Sequence, residues 1–505
     1  MSDRDRDDEF ADDTDLGDDD RNPLADLSPF ADASTGSAQA ASYEGSNLDD
    51  DSGWELEDSE YQSDADRVYE DLLARVGESM PQPRLEPTRR VTDLLGDPQR
   101  TFPIIHVTGT NGKTSTSRIA ESILRAYGLR TGLMTSPHLV RVNERIVIDG
   151  QPISNRALAE NWADIRPYLE MVDAELIANS EETLTYFEAL TVLAFAAFAD
   201  APVDVAVIEV GMGGEWDSTN VGDGQVAVFT PIALDHTQRL GSTVEAIART
   251  KAGIIKPVAS VVSAAQQPEA LAELQRAVEL TESSLEVEGD GFGLESSAVA
   301  VGGQVITVRG LAETYRDLFL PLFGDYQGHN AALAIAAVES FLGAGTQPLV
   351  GDVLAEGLAT ASSPGRLQVV GIDPAVIVDA AHNPHGAAAL ATALGSYFTF
   401  DEVVVVLGVL QDKDAAGIIS ALAPVATRFA VTQSSSERAV GSDELAALVR
   451  EHVDAETVTS FESFVEALED ARAWAAQSDR RAVLVTGSIT LVGEAIALAT
   501  AEGWK

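Results

Sequence analysis

Residues 102–116 read Phe-Pro-Ile-Ile-His-Val-Thr-Gly-Thr-Asn-Gly-Lys-Thr-Ser-Thr, and the types in the second half of that run suit the holding of a phosphate. Gly109 and Gly112, with Thr110 and Asn111 between them, let backbone N–H groups close on an anion. Lys113 adds a point charge, and the hydroxyl of Thr114 or Ser115 can hold Mg²⁺. The two glycines stand closer together than in the usual phosphate loop, so the plainer alternative is a glycine-rich turn that caps a helix.

Other residues point the same way. Lysine is scarce, five against 28 arginines, yet Lys113, Lys251, Lys256 and Lys413 all fall in Gly- or Asp-marked stretches. His106, His138, His236, His329, His382 and His385 stand beside loops or Gly/Pro signals. Glu188 opens a helical stretch, 186–198, that is apolar nearly all round, so its carboxylate needs a cation or a hydrogen-bonding partner. Glu188 and His236 are donors a hard metal accepts, whereas an ammonium repels Mg²⁺. From its type alone, Lys251 reads as half of an ordinary salt bridge.

These groups need elements to carry them. An apolar run with Ile104, Ile105 and Val107 predicts a buried strand, and 113–127 a helix ending at Gly128. A second strand, 130–134, stops at Pro137, which places Ser136 and His138 in a loop on the ligand side of a sheet. Strand 203–209 ends in an acid, and strand 225–230 leads to Leu234-Asp235-His236-Thr237. Residues 286–308 suggest a small β-hairpin, and 324–330 a cap on an Ala-rich helix, 331–342. Ser363-Pro364-Gly365-Arg366 punctuates the chain, and strand, loop and helix then alternate again. The expected class is α/β: an N-terminal phosphate-loop-type ATPase domain with a mainly parallel, doubly wound sheet, plus a smaller C-terminal Rossmann-like α/β domain. The domains are expected at 65–360 and 361–505.

Residues 1–64 hold 22 Asp/Glu and three Arg and are expected to be a disordered acidic tail with an amphipathic helix after it (Val68, Leu72, Leu73, Val76). The formal charge of −48 argues against nucleic acid or an anionic membrane as partner. With no Cys, no signal-peptide core and no membrane-length apolar run, a cytoplasmic protein is expected, and a monomer.

From about residue 66 the chain resembles the folylpolyglutamate synthase/dihydrofolate synthase family, a branch of the Mur ligase superfamily. The resemblance rests on His-Val-Thr-Gly-Thr-Asn-Gly-Lys-Thr-Ser (106–115), Thr-Ser-Pro-His-Leu (135–139), Glu-Val-Gly-Met-Gly-Gly (209–214) and Leu-Asp-His-Thr (234–237). Lys-Ala-Gly-Ile-Ile-Lys (251–256), Pro-Gly-Arg (364–366), Asp-Ala-Ala-His-Asn-Pro (379–384) and Thr-Gly-Ser (486–488) follow in the family's order. It implies an ATP-dependent ligase that joins L-glutamate to dihydropteroate, to a reduced folate, or to both, through an acyl phosphate.

The resemblance further implies ATP on residues 109–115, with Asn330, Arg366 and Asp379 as further ATP contacts. It implies one Mg²⁺ on Ser136 and Glu188 and a second on His236, with Lys251 carbamylated and ligating metal. Lys113, Lys251 and His382 are the implied catalytic residues. One departure stands out: Glu215-Trp216-Asp217 occupies the place where many relatives carry Arg-Leu-Asp. A peptidoglycan-type Mur ligase is a poorer reading, since a nucleotide-sugar domain does not fit between the tail and Gly109. A nucleotide-gated binding protein would need no second metal site.

Overall fold

The structure, a computed structural model, describes residues 58–77, 80 and 82–504. Most of the acidic tail, residues 1–57, therefore lies outside the described residues. Its expected end is corrected, because the helix Gln62–Leu73 already begins inside it and buries Ala65, Val68 and Leu72. Leu73, expected on the apolar side, is exposed.

The strand predicted around Ile105 is β1 (Ile104–Thr108), buried at every position. The other strands of its sheet are β2 (Thr131–Met134), β3 (Ile146–Ile148), β4 (Gln151–Pro152), β5 (Val205–Glu209), β6 (Gly224–Phe229), β7 (Ser260–Ser263) and β8 (Ser284–Val287). They lie in the order β4-β3-β2-β5-β1-β6-β7-β8. β2 to β8 across the centre are parallel, and β3 and β4 are antiparallel edge strands.

Both faces are covered, which is why these strands are Val/Ile runs without alternation. On one face the helices Lys113–Ala126 and Asp325–Gly343 pack Ile119, Ile123 and Ile335 toward Ile105, Val107 and Val228. On the other, Asn155–Ala178 and Tyr186–Asp200 bring Leu169, Leu193 and Phe198 toward Ile104, Ala206 and Ile208.

Two local expectations are corrected. The hairpin at 286–308 is a three-stranded antiparallel sheet of β9 (Gly293–Ala300), β10 (Gly303–Arg309) and β11 (Thr314–Leu320). Its last strand was hidden because Asp317, at φ 55°, accompanies a register shift that throws the apolar alternation out of phase. Residues 325–330 are not a loop cap but the first turns of the helix Asp325–Gly343, which fixes His329 and Asn330 on a rigid element.

The second sheet contains β12 (Gln368–Ile372), β13 (Ala375–Asp379), β14 (Glu402–Leu407), β15 (Arg428–Val431), β16 (Val458–Ser460) and β17 (Arg481–Thr486). Their order is β12-β13-β17-β14-β15-β16, parallel except for β12, so the fold is the α/β, doubly wound class. The C-terminal ends of β1, β5 and β6 in the first sheet and of β13 and β14 in the second supply the loops of one cleft, as expected for parallel sheets. Among the described residues no helix is long and apolar enough to cross a membrane.

Candidate active-site cleft

The loop after β1 is pressed on both sides. Gly109 has φ 150°, and a Cβ there would lie 1.9 Å from Thr230 Oγ1; Gly112 has φ 89°, and its Cβ would lie 2.6 Å from Asn330 Oδ1. Only glycine fits either place. Pro231 O accepts from the N–H groups of Thr110 and Asn111, at 2.9 and 3.4 Å, while Thr110 Oγ1 donates to Ala233 O at 3.0 Å. Lys113 Nζ donates back to Thr110 O at 3.2 Å. The loop is thus preformed at the start of the helix Lys113–Ala126, where backbone N–H groups and an ammonium meet.

The structure separates the two hydroxyls that the sequence left open. Ser115 Oγ is 2.8 Å from Ser363 Oγ, so it is spent on the linker between the sheets. Thr114 Oγ1 instead faces Glu209, 3.0 and 2.9 Å from its two carboxylate oxygens. Glu209, at the end of β5, also accepts from Ser136 N at 3.2 Å. Burial pushes its carboxyl pKa up, and the Lys113 charge pulls it back.

Glu188, expected to share a metal with Ser136, has other partners in this arrangement. Glu188 caps its own helix, accepting from Thr185 N at 2.7 Å, and its two oxygens take Arg84 Nε and Nη2 at 3.0 and 3.1 Å. A guanidinium bound across a carboxylate leaves it poorly placed to share a cation, so the acid beside Ser136 is Glu209. Glu188 still borders the cleft, next to Phe187.

Lys251 is buried, and its Nζ donates to Gly109 O at 2.7 Å. Burial first, and then the Lys113 charge, lower its pKa to about 7. Among the described residues, the salt bridge expected from residue type alone does not form. His236 sits in the left-handed region, φ 49°, beside Asp235, with Nε2 4.0 Å from Asp235 Oδ2. Burial lowers the imidazole pKa to about 4, against the pull of Asp235.

The second sheet closes the cleft. Lys413 Nζ is 3.1 Å from Asp235 Oδ1, and His382 Nε2 is 3.8 Å from Asp235 Oδ2. Asn111 and Asn383 exchange side-chain hydrogen bonds at 3.1 and 3.5 Å, and Asn111 Nδ2 lies 3.0 Å from His385 Nδ1. Asp379, buried at the end of β13, accepts from Leu367 N and Ala381 N, each at 2.8 Å. Burial raises its pKa, and the Arg366 charge opposes that.

All the expected site residues border one cleft of about 1750 Å³. Glu209, Asp235 and Asn383 were missed as site residues. The signal for Glu209 was present, since a strand reading Val-Ala-Val-Ile ends on it; Asp235 is the neighbour of His236. Among the described residues no three or more His, Cys, Asp or Glu side chains form a metal cage. A divalent cation here would therefore take hydroxyls and phosphate oxygens as well, the habit of Mg²⁺.

Comparison with known proteins agrees with the geometry. Residues 107–338 match the Mur ligase middle domain, and residues 365–489 the Mur ligase glutamate ligase domain. The chain is 42% identical to the dihydrofolate synthase/folylpolyglutamate synthase of Mycobacterium tuberculosis, over 82% of this chain and 90% of that protein. It superposes on a structure of Mycobacterium tuberculosis folylpolyglutamate synthase complexed with ADP, with TM-score 0.83, 41% identity, and coverage of 87% of this chain and 99% of that one. The Escherichia coli FolC structure in complex with DHPP and ADP matches with TM-score 0.72 and 32% identity, over 83% of this chain and 94% of that one.

Proposed function

This chain belongs to the dihydrofolate synthase/folylpolyglutamate synthase family of ATP-dependent ligases, and we propose that it adds L-glutamate to dihydropteroate, to the γ-carboxylate of folates, or to both. The observation that carries the reading is the convergence of Lys113, Glu209, Lys251 and His236 from the first sheet with Asp379, His382 and Lys413 from the second around one cleft.

A carboxylate is a poor electrophile because it is already anionic. Attack of its oxygen on the γ-phosphorus forms an O–P bond, breaks the bond to the β-phosphate oxygen, and releases ADP. The glutamate amine then adds to the acyl carbon, phosphate leaves, and one proton is lost. The loop Gly109, Thr110, Asn111 and Gly112 and the first helical turn Lys113, Thr114 and Ser115 would seat the triphosphate, and Lys113 would offset charge on the transferring phosphoryl group. Asn330, Arg366 and Asp379 would hold the rest of the nucleotide.

The oxygen donors Thr114, Ser136 and Glu209 fit a hard cation at the phosphate end of the cleft, and His236 fits a second. When bound, Mg²⁺ supplies charge neutralisation for phosphoryl transfer. Lys251 suits carbamylation, because only a neutral amine attacks CO₂ and its burial favours that form. In that reaction the N–C bond forms, the amine loses a proton, and a carboxylate replaces the ammonium. His382 Nδ1 is 2.9 Å from Ala380 O, which can only accept, so Nδ1 carries the proton. Nε2 is left to take the amine's proton, and the Asp235 carboxylate offsets the charge.

The test is ADP release measured with dihydropteroate and with a reduced folate in parallel, each with and without L-glutamate. Release that requires both acid and amino acid is expected. ATP hydrolysis at the same rate without either would overturn the assignment.

A further inference from the structure

We propose that Asn383 is a positioning residue for the amide-forming step, and this rests on the ligase reading of the cleft. Its side chain caps a helix of the second sheet and clasps two loops of the first, which keeps His382, its chain neighbour, in register with the phosphate loop.

Asn383 is 5% exposed and stands at the N-cap of the helix Pro384–Tyr397, where its Oδ1 accepts from Gly386 N at 2.8 Å. That bond fixes the amide's orientation, because a flipped amide would set its NH₂ group against the Gly386 N–H. Nδ2 then faces acceptors only. It donates to Asn111 Oδ1 at 3.1 Å, on the loop after β1, and to Asp235 Oδ2 at 3.5 Å, on the loop after β6. The Asn111 amide is fixed in turn, since its oxygen is taken. Its Nδ2 points at Asn383 Oδ1, at 3.5 Å, and at His385 Nδ1, at 3.0 Å, which accepts.

A cap does not by itself ask for asparagine, because aspartate and serine cap equally well. Neither can make this clasp. An aspartate would set a second carboxylate against Asp235, and a serine has one oxygen, spent on the cap, with no further polar atom to reach Asn111. What the clasp joins is what the two half-reactions use. Asn111 stands two residues before Lys113 in the loop that would seat the triphosphate, and Asp235 Oδ2 lies 3.8 Å from His382 Nε2 as well. A shift of about 1 Å between His382 and the phosphate loop would leave the acyl phosphate able to form but the amine badly placed, which can cost about 100-fold in rate. Water then takes the amine's place: it adds to the acyl carbon, the C–O bond to phosphate breaks, and the free acid and phosphate leave.

The experiment compares the full chain with Asn383→Ser, Asn383→Asp, Asn111→Ala and the double variant of Asn383→Ser with Asn111→Ala. ADP and amide product are measured in one reaction, with L-glutamate and whichever of dihydropteroate or a reduced folate supports release, beside binding of a non-hydrolysable ATP analogue and thermal unfolding. Asn383→Ser should bind the analogue within about threefold of the wild type and make amide about 10- to 100-fold more slowly. It should also release about three or more ADP per amide, where the wild type releases about one, a ratio that a merely structural loss would not move. The double variant should be within about twofold of the slower single one. An unchanged ADP-to-amide ratio in both Asn383 variants, or losses that multiply in the double variant, would overturn the proposal. If Asn383→Ser fails to fold, Asn383→Asp takes its place. A wild type whose ADP release needs neither acid nor amino acid would instead sink the ligase reading.

Discussion

The Lys413 ammonium, carried on the loop after β14, lies 3.1 Å from the Asp235 carboxylate, carried on the loop after β6, and joins the two sheets across the cleft. Both side chains are nearly covered, 9% and 12% exposed, so little water screens the pair. Burial alone would raise the Asp235 pKa; the nearby His382 and His236 imidazoles and the Lys413 charge hold it well below the usual carboxylate range. Lys413→Met leaves a buried carboxylate without its cation, and a loss of about 3 kcal/mol of stability is expected. Asp235→Asn with Lys413→Met should cost less than the sum of the single changes, by thermal or urea unfolding of all four proteins. Additive losses would show that the pair does not act as a unit.

Glu209 and Glu188 should separate cleanly. Glu209→Gln removes the acid that faces Thr114 and Ser136, and a fall in kcat of about 100-fold or more is expected, with a small change in melting temperature. Glu188→Gln breaks the Arg84 pair and the helix cap, so it should lower stability by about 1–3 kcal/mol while leaving more of the turnover. Steady-state kinetics beside melting curves check both, and the reverse pattern would restore Glu188 to the reaction.

Lys251→Ala should lose activity, and a small added carboxylate should restore part of it by standing in for the carbamate. An Ala variant as active as the wild type would refute the role. Mass spectrometry of the native protein in bicarbonate should show a mass increase that the variant lacks.

His106 has one ring nitrogen 2.9 Å from Thr219 Oγ1 and the other, Nδ1, buried without a partner among the described residues. Burial, then the Lys256 charge, lowers its pKa to about 3, so the unfolded chain binds the proton more readily. The sign follows: this stabilisation is full above the ordinary value of about 6.5 and is lost as pH falls toward 3, at no more than about 1.4 kcal/mol per unit. Unfolding measured between those limits should show a shallower slope in His106→Gln than in the wild type. Equal slopes would show that the imidazole does not titrate with folding.

What the chain's own pattern determined is local. Glycine punctuation, the Lys113 ammonium and runs such as Val-Ala-Val-Ile are short-range signals, and they sufficed for the phosphate loop, the buried parallel strands and the loops at their C-terminal ends. Where a bulge at Asp317 shifted the alternation, or where the Asp325–Gly343 helix began earlier than its Ala-rich part, the same signals failed. Which acid serves the cleft was decided only by packing. Glu188 and Glu209 both look like buried carboxylates in sequence, and nothing local says that Arg84, 104 residues away, arrives at one while Thr114 and Ser136 arrive at the other. Likewise Lys251 finds the Gly109 carbonyl rather than an acid, and Asp235 finds Lys413 from the other sheet, because charge partners are chosen by distance in the folded chain.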